Sequence, residues 1–486
     1  MKGKASGWII IFFTIIYSSN GFGQPSYQPD TIISNWISQD LFTHASIGVY
    51  MQDAETGEVT HSSSPGLSLA PASTQKLLTT AAALEILGPD YRFSTSLAYT
   101  GEIHNDTLNG DLIILGGGDP ALGSKYFKDH YFKHPFLTSW TDSLEQHHIR
   151  HIQGNILTDA SVYEDQMIPD TWIWEDIGNY YGAGACGLSV YDNLYEIHLS
   201  SPSMAGQPTT IISTNPVIPN LEFDNQVLSS DKQQDLAYIF GSPLDSKRIL
   251  RGTIPKGKSG FIVKASIPDP PYLLGWQLRK ILEAGGITVT GEIKKRKKEQ
   301  TEKPVSVIAT TFSPPLIDII RVTNHESVNL FAEHLLKQIS YLNSGVGSTE
   351  EGTHLIIDFW KDRGIDTRGL FMCDGSGLSR FNAITPRQMV QVLDYMKNKS
   401  RNSNLFFSSL PSVPNGTLYY FNPDNFPNNG LRAKSGSMTR VRCFAGLLKT
   451  TSGRELLFAV FINNFSCSQS KAIHAIENLL VKVSRK

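Results

Sequence analysis

Pro71-Ala72-Ser73-Thr74-Gln75-Lys76-Leu77-Leu78-Thr79-Thr80-Ala81-Ala82-Ala83-Leu84 opens a helix that runs to about Leu87. Proline suits the entry to a helix, and Leu77, Leu78, Ala81, Ala82 and Leu84 recur at helical spacing. Gly88-Pro89 ends the run, as glycine past the last turn and a following proline should. Ser73 and Lys76 stand three apart, so they share a face and the lysine amine can reach the serine hydroxyl. A lysine kept neutral by burial or by nearby cations could take the serine proton and make an acyl-accepting alkoxide. Ser229/Lys232 and Ser468/Lys471 have the same spacing, so spacing alone decides nothing. Ser73 differs in its setting: it lies in the first turn of an apolar helix, where backbone N–H groups meet an incoming oxyanion. The competing reading of this stretch is a helix cap followed by an exposed lysine.

Working outward, Ala45 to Asp53 reads as a strand, Glu55-Thr56-Gly57 as a turn and Glu58 to His61 as the return strand. Residues 91–300 carry many short apolar strands broken by Gly, Asn, Asp and Pro. Beyond them the pattern is helical at Leu316 to Arg321, Asn329 to Tyr341, Gly352 to Arg363 and Thr385 to Lys397. Strands at Leu431 to Ser437, Arg442 to Lys449 and Leu456 to Asn463 and a helix from about Ser468 to Val483 close the chain. Two further polar groups attract notice in this half. Ser327-Val328-Asn329 fits a turn entering a helix, with ordinary N-capping as the alternative. Lys434-Ser435-Gly436-Ser437 sits in a strand, where a glycine marks close backbone approach to a ligand. Its lysine and the Ser435 hydroxyl suit a terminal carboxylate; an exposed edge-strand lysine is the plainer alternative.

Taken together, S-x-x-K, then S-x-N, then K-[TS]-G is the ordered signature of β-lactamases and penicillin-binding proteins. The long stretch between Ser73 and Ser327 does not fit a compact β-lactamase. The chain resembles the D-alanyl-D-alanine carboxypeptidase/endopeptidase family, the class C low-molecular-mass penicillin-binding proteins. Further matching phrases are Leu115-Gly116-Gly117-Gly118-Asp119-Pro120, Asp159-Ala160-Ser161-Val162-Tyr163, Asp374-Gly375-Ser376-Gly377-Leu378-Ser379-Arg380 and Gly416-Thr417-Leu418. Two departures stand out: Ser435 where threonine is usual, which keeps the hydroxyl, and Val328 where a polar residue is common.

The resemblance implies an α/β (α+β) fold: a transpeptidase-like domain with an antiparallel sheet flanked by helices, built from residues 25–90 and 305–486. Residues 91–304 would be an inserted region of two β-rich subdomains. It implies acyl transfer on peptidoglycan stem peptides ending in D-Ala-D-Ala, through a Ser73 acyl-enzyme, with β-lactams as covalent inhibitors. Lys76 would be the general base, Ser327 a proton relay to the leaving amine and Asn329 the residue that orients the substrate amide. Lys434 and Ser435 would hold the substrate carboxylate. The backbone N–H groups of Ser73 and Ser437 would form the oxyanion hole, with Gly436 letting that strand come close. Asp159 matches an acidic position resembling the family's recognition site for the diamino-acid side chain; the alternative is a turn aspartate bonding its own backbone. The rival functions are a β-lactamase and a catalytically silent cell-wall-binding protein.

Composition agrees with a folded enzyme and removes other classes. Of 486 residues, 40% are hydrophobic and 18% charged, so the chain can build cores and is not disordered. A formal charge of −2 gives no reason to expect nucleic acid. Four cysteines, Cys186, Cys373, Cys443 and Cys467, are too few for a disulfide scaffold, and none forms a CxxC pair. Lys2 and Lys4, the apolar run Trp8 to Tyr17 and the small residues Gly21 and Gly23 describe a signal peptide over residues 1–23. The expected location is therefore the periplasm, after export across the inner membrane. Peripheral membrane contact is left open but not indicated. No metal or organic cofactor is implied: His130/His134 and His147/His151 have i, i+4 spacing without an HExxH or a third ligand. Gly116-Gly117-Gly118-Asp119 lacks the GK[ST] of a phosphate loop and reads as a tight turn. Asp374-Gly375-Ser376-Gly377 is not GxSxG and reads as a turn bordering the site. Lys294-Lys295-Arg296-Lys297-Lys298 reads as a solvated hairpin tip.

Overall fold

The computed structural model describes residues 31–132, 135–297 and 305–485. The expected signal peptide lies outside these residues, and among them no helix is long and apolar enough to cross a membrane. One antiparallel sheet of five strands joins the two ends of the chain. Its order is Leu431–Met438, Val441–Lys449, Glu455–Asn463, Ser46–Asp53 and Val59–Ser63. Strand Glu455–Asn463 is buried along almost its whole length, as its continuous apolar sequence requires of a central strand. Its side chains alternate between two cores. Leu457, Ala459 and Phe461 face the core that holds helix Lys76–Leu87, whereas Leu456, Phe458, Val460 and Ile462 face helices Thr31–Ile37 and Gln469–Ser484.

Helix Lys76–Leu87 packs against Leu316–His325, Asn329–Ser344 and Pro386–Asn398. Lys76 through Leu84 are all buried. A helix enclosed on every side must satisfy its own polar groups. Thr80 Oγ1 donates to the Lys76 carbonyl and Thr79 Oγ1 to the Gly375 carbonyl, both at 2.7 Å.

The middle of the chain forms four further sheets. In the largest, Ile293–Lys295, Ile156–Asp159, Leu112–Gly116, Ser94–Tyr99 and Ser306–Phe312 follow one another. Residues 306–312, assigned from the sequence to the catalytic part, thus pair antiparallel with Ser94–Tyr99, next to the inserted region's other strands. Helices Phe136–Gln146 and Pro270–Ala284 share its core. The lysine-rich run divides. Lys294 and Lys295 are exposed and pair with Glu292 and Asp165, Arg296 is buried, and Lys298 lies outside the described residues.

The inserted region docks on helix Asn329–Ser344 through a buried polar seam. His334 Nδ1 meets the Gly118 carbonyl at 2.8 Å and Nε2 meets Ser189 Oγ at 2.9 Å. A carbonyl only accepts, so Nδ1 carries the proton. Burial pushes this imidazole down to about 3, and it is neutral at ordinary pH. Tyr163 O–H lies 2.9 Å from Gln338 Oε1 and bridges the same surfaces.

Candidate active site

Ser73 stands in a 3₁₀ turn, Ala72–Gln75, and the α-helix proper begins at Lys76. A 3₁₀ turn has three residues per turn, so positions i and i+3 eclipse. Lys76 Nζ accordingly lies 3.0 Å from Ser73 Oγ. It also lies 2.6 Å from Asn329 Oδ1 and 2.7 Å from the Ser376 carbonyl. The alternative of an exposed lysine fails: Lys76 is fully buried. Burial brings its amine down to about 7, with Asp374 and Glu333 pulling in the opposite direction. A neutral amine has two N–H donors and one lone pair. Here two of its three partners are oxygens that only accept, the Asn329 amide oxygen and the Ser376 carbonyl, so the lone pair is left for the Ser73 hydroxyl. The orientation of the Asn329 amide is fixed as well, since its Nδ2 donates to the Tyr181 carbonyl at 2.7 Å.

The Ser73 turn is held from two sides by glycines. Ala72 has φ +46°, a left-handed conformation uncommon for alanine. A Cβ on Gly436 would stand 2.4 Å from the Pro71 carbonyl, and one on Gly377, itself at φ +81°, 2.0 Å from the Ala72 carbonyl. The close approach read into Gly436 is therefore an approach to the backbone of the Ser73 turn. Gly436→Ala is expected to displace Ser73 and lower penicillin acylation by roughly 10²-fold, measured as the second-order acylation rate; an unchanged rate contradicts this packing.

Ser327 adopts φ +59° just ahead of helix Asn329–Ser344. Neither Ser327 nor Asn329 is spent on capping: the N-cap is Val328, without a side-chain cap bond. Lys434 Nζ donates to Ser327 Oγ and to the Ser435 carbonyl, both at 2.8 Å. Lys434 is also fully buried, not an exposed edge lysine. Burial, then the neighbouring Lys76 and Arg442, push its amine well below the ordinary range. The three motifs thus converge as two serine–lysine pairs, Ser73/Lys76 and Ser327/Lys434. Ser73, Ser327, Asn329 and Ser437 open into one cleft of about 350 Å³, while Ser435 is buried behind it.

Asp159, expected at the cleft mouth, is not there. It is 6% exposed, accepts the Ser161 N–H at 2.9 Å and pairs with buried Arg296 at 3.0 Å. The turn-aspartate alternative describes it better, because its place at the end of a central strand of the inserted sheet buries it. Asp159→Ala is expected to cost about 2 kcal/mol of stability by removing one charged hydrogen-bond partner of buried Arg296, while folded protein acylates at the wild-type rate. A denaturation midpoint like wild type would count against the pairing. The carboxylates that do line the cleft are Glu175, Asp176 and Glu326, with Arg380 as the guanidinium. Burial raises the Asp176 carboxyl, while the Tyr181 hydroxyl and Arg380 lower it. Sequence reasoning missed Asp176 because it lies on a four-residue helix, Trp174–Ile177, with no periodic signal. Among the described residues no cluster of His, Cys, Asp and Glu could hold a metal. His147 and His151 bond Ser143 and Thr288 instead, and His134 lies outside the described residues.

The same arrangement of chain recurs in known proteins. A D-alanyl-D-alanine carboxypeptidase of Actinomadura sp. (strain R39) is 27% identical over 431 residues, 86% of this chain and 78% of its own. The D-alanyl-D-alanine carboxypeptidase DacB of Haemophilus influenzae is 23% identical, covering 88% of each. The crystal structure of penicillin binding protein 4 (dacB) from Haemophilus influenzae shares the fold with a TM-score of 0.79 at 22% identity, covering 93% of this chain and 99% of that one. In complex with a β-lactam it matches at a TM-score of 0.75. The profile of the D-Ala-D-Ala carboxypeptidase 3 (S13) family matches residues 31–484, and the chain belongs to that family.

Proposed function

We propose that this serine peptidase removes the terminal D-alanine from peptidoglycan stem peptides and is acylated by penicillins at Ser73. The observation that carries this reading is the Lys76 amine held 3.0 Å from Ser73 Oγ by two fixed acceptors. Ser73 Oγ attacks the carbonyl carbon of the penultimate D-alanine while its proton passes to Lys76 Nζ. The N–H groups of Ser73 and Ser437 receive the oxyanion. The C–N bond then breaks, the leaving amine takes the Ser327 proton, and the proton held by Lys76 passes by way of Lys434 to Ser327, which leaves Lys76 neutral again and Lys434 unchanged. Water hydrolyses the ester with Lys76 again as base. Asn329 acts first by holding Lys76, because both ends of its amide are engaged. The substrate carboxylate meets the Ser435-Gly436-Ser437 segment, with Lys434 behind it. The N-terminal basic and apolar segments support export to the periplasm, where such peptides occur.

The test is release of D-alanine from a pentapeptide ending in D-Ala-D-Ala, and its loss after penicillin treatment. Rapid penicillin turnover supports the β-lactamase rival, and absence of any reaction supports the silent binding protein. Cleavage of purified cross-linked muropeptides would add endopeptidase activity.

A free ammonium on the stem peptide finds its counter-charge at Asp176, not at Asp159. Asp176→Asn is expected to lower kcat/KM for amine-bearing peptides by roughly 10–100-fold, the scale of a charge-assisted hydrogen bond, and to leave penicillin acylation nearly unchanged. Equal loss on a substrate without the amine contradicts this role.

A further inference from the structure

Glu333 is one helical turn beyond Asn329, 1% exposed, on a helix whose neighbouring positions are Leu330, Phe331, Leu335 and Leu336. Burying a carboxylate costs several kcal/mol, so it persists only with partners. Its partners are two backbone N–H groups of one loop: Gly375, at 3.0 and 3.1 Å from the two oxygens, and Ser376, at 2.8 Å. The carbonyl of that same Ser376 accepts from Lys76. Helix Asn329–Ser344 therefore reaches Lys76 by two routes, directly through Asn329 and indirectly through Glu333 and the loop.

We propose that Glu333 is a positioning residue for Lys76, fixing the Gly375–Ser376 backbone that presents a carbonyl to the amine and placing a negative charge beside it. The inference rests on the reading of Lys76 as the base that activates Ser73. Fixing the loop does not by itself demand a charge, since a neutral amide also accepts from backbone N–H groups. The charge matters to Lys76. The charged groups facing the amine are Glu333 from its helix, Asp374 from the loop and Lys434 from the sheet. Asp374 is itself held by Gln75, Trp172, Asn382 and the N–H groups of Gly377 and Ser379. Burial and then Asp374 push the Glu333 carboxyl up, while the hydrogen bonds from Ser376 and Gly375 favour its charged form. Removing the Glu333 charge removes one of the two anions that favour protonated Lys76. The free amine should then persist to lower pH.

The experiment is the rate of acylation of the full chain by a fluorescent penicillin between pH 5 and 9, for wild type, Glu333→Gln and Glu333→Ala. Glu333→Gln keeps the shape and an accepting oxygen. It is expected to retain a plateau within roughly 5-fold of wild type, with the midpoint of the acid limb moved down by about half a pH unit or more. Glu333→Ala frees the loop and is expected to lose roughly 10²-fold of the plateau. If Glu333→Ala does not fold, the Glu333→Gln midpoint decides alone. A midpoint that stays in place or rises in Glu333→Gln overturns the proposal, as does a wild-type plateau in Glu333→Ala. A residue that only stabilised the fold would lower both plateaus in step with Tm and leave the midpoint unmoved. Wild type that is not acylated at Ser73 is a different failure and removes the reading beneath.

Discussion

Ser73→Ala is expected to take up no fluorescent penicillin, a fall of roughly 10⁴-fold or more in acylation rate, because it removes the hydroxyl that faces the Lys76 amine, whereas the Ser327 hydroxyl accepts from Lys434. The variant should fold. Ser73 Oγ has Lys76 as its hydrogen-bond partner, and Lys76 keeps Asn329 and Ser376 when it is gone. The change in stability should stay within about 1 kcal/mol, so Tm is the control for the labelling result. The two serines that share the S-x-x-K spacing offer no substitute. Ser229 Oγ donates to the Met204 carbonyl inside the inserted region, and Ser468 caps the last helix by accepting from the Lys471 N–H. Labelling that persists, or that moves to either serine, contradicts the assignment.

Lys76→Arg and Lys434→Arg should separate the two lysines. Lys76 needs a lone pair toward Ser73, and guanidinium stays protonated at any accessible pH. Lys76→Arg is therefore expected to lose roughly 10²–10⁴-fold in acylation, the contribution of a general base. Lys434 gives N–H bonds to Ser327 and to the Ser435 carbonyl, and a guanidinium can supply both. Lys434→Arg should keep at least about ten times more activity than Lys76→Arg, although burial of Lys434 means that the larger side chain will cost something. Equal losses would remove the reason for giving the lysines different roles.

The legible parts of this protein were those carried by local pattern. The apolar run after Ser73 announces a buried helix because its side chains repeat at the helical period. The strand Leu456 to Asn463 was legible as a strand, and its central position came from the structure. The three motifs were readable as residue types in order, and the resemblance supplied their meeting in space. What could not be read was burial of charge. Nothing local distinguishes a lysine at 0% exposure from a solvated one, so Lys76 and Lys434 each kept an exposed alternative. Asp159 is placed at the cleft by the resemblance alone, and nothing local shows that Arg296, far along the chain, pairs with it. Glu333 could not be singled out, because Asn329 and Lys337 stand one turn either side of it and its bonds to the Gly375–Ser376 loop are long-range. The pairing of residues 306–312 with Ser94–Tyr99 could not be read because a strand's own residues do not name its partner.

The most direct test of the central claim, a neutral Lys76 serving as base to Ser73, is the pH dependence of the wild-type acylation rate. Burial brings the Lys76 amine down to about 7, and only the unprotonated form can take the Ser73 proton. The rate of covalent penicillin uptake should therefore rise through an acid limb with its midpoint near neutrality and level off above it. A rate that is flat from pH 5 to 9, or one that begins to rise only in the range of an ordinary exposed lysine, would contradict the account.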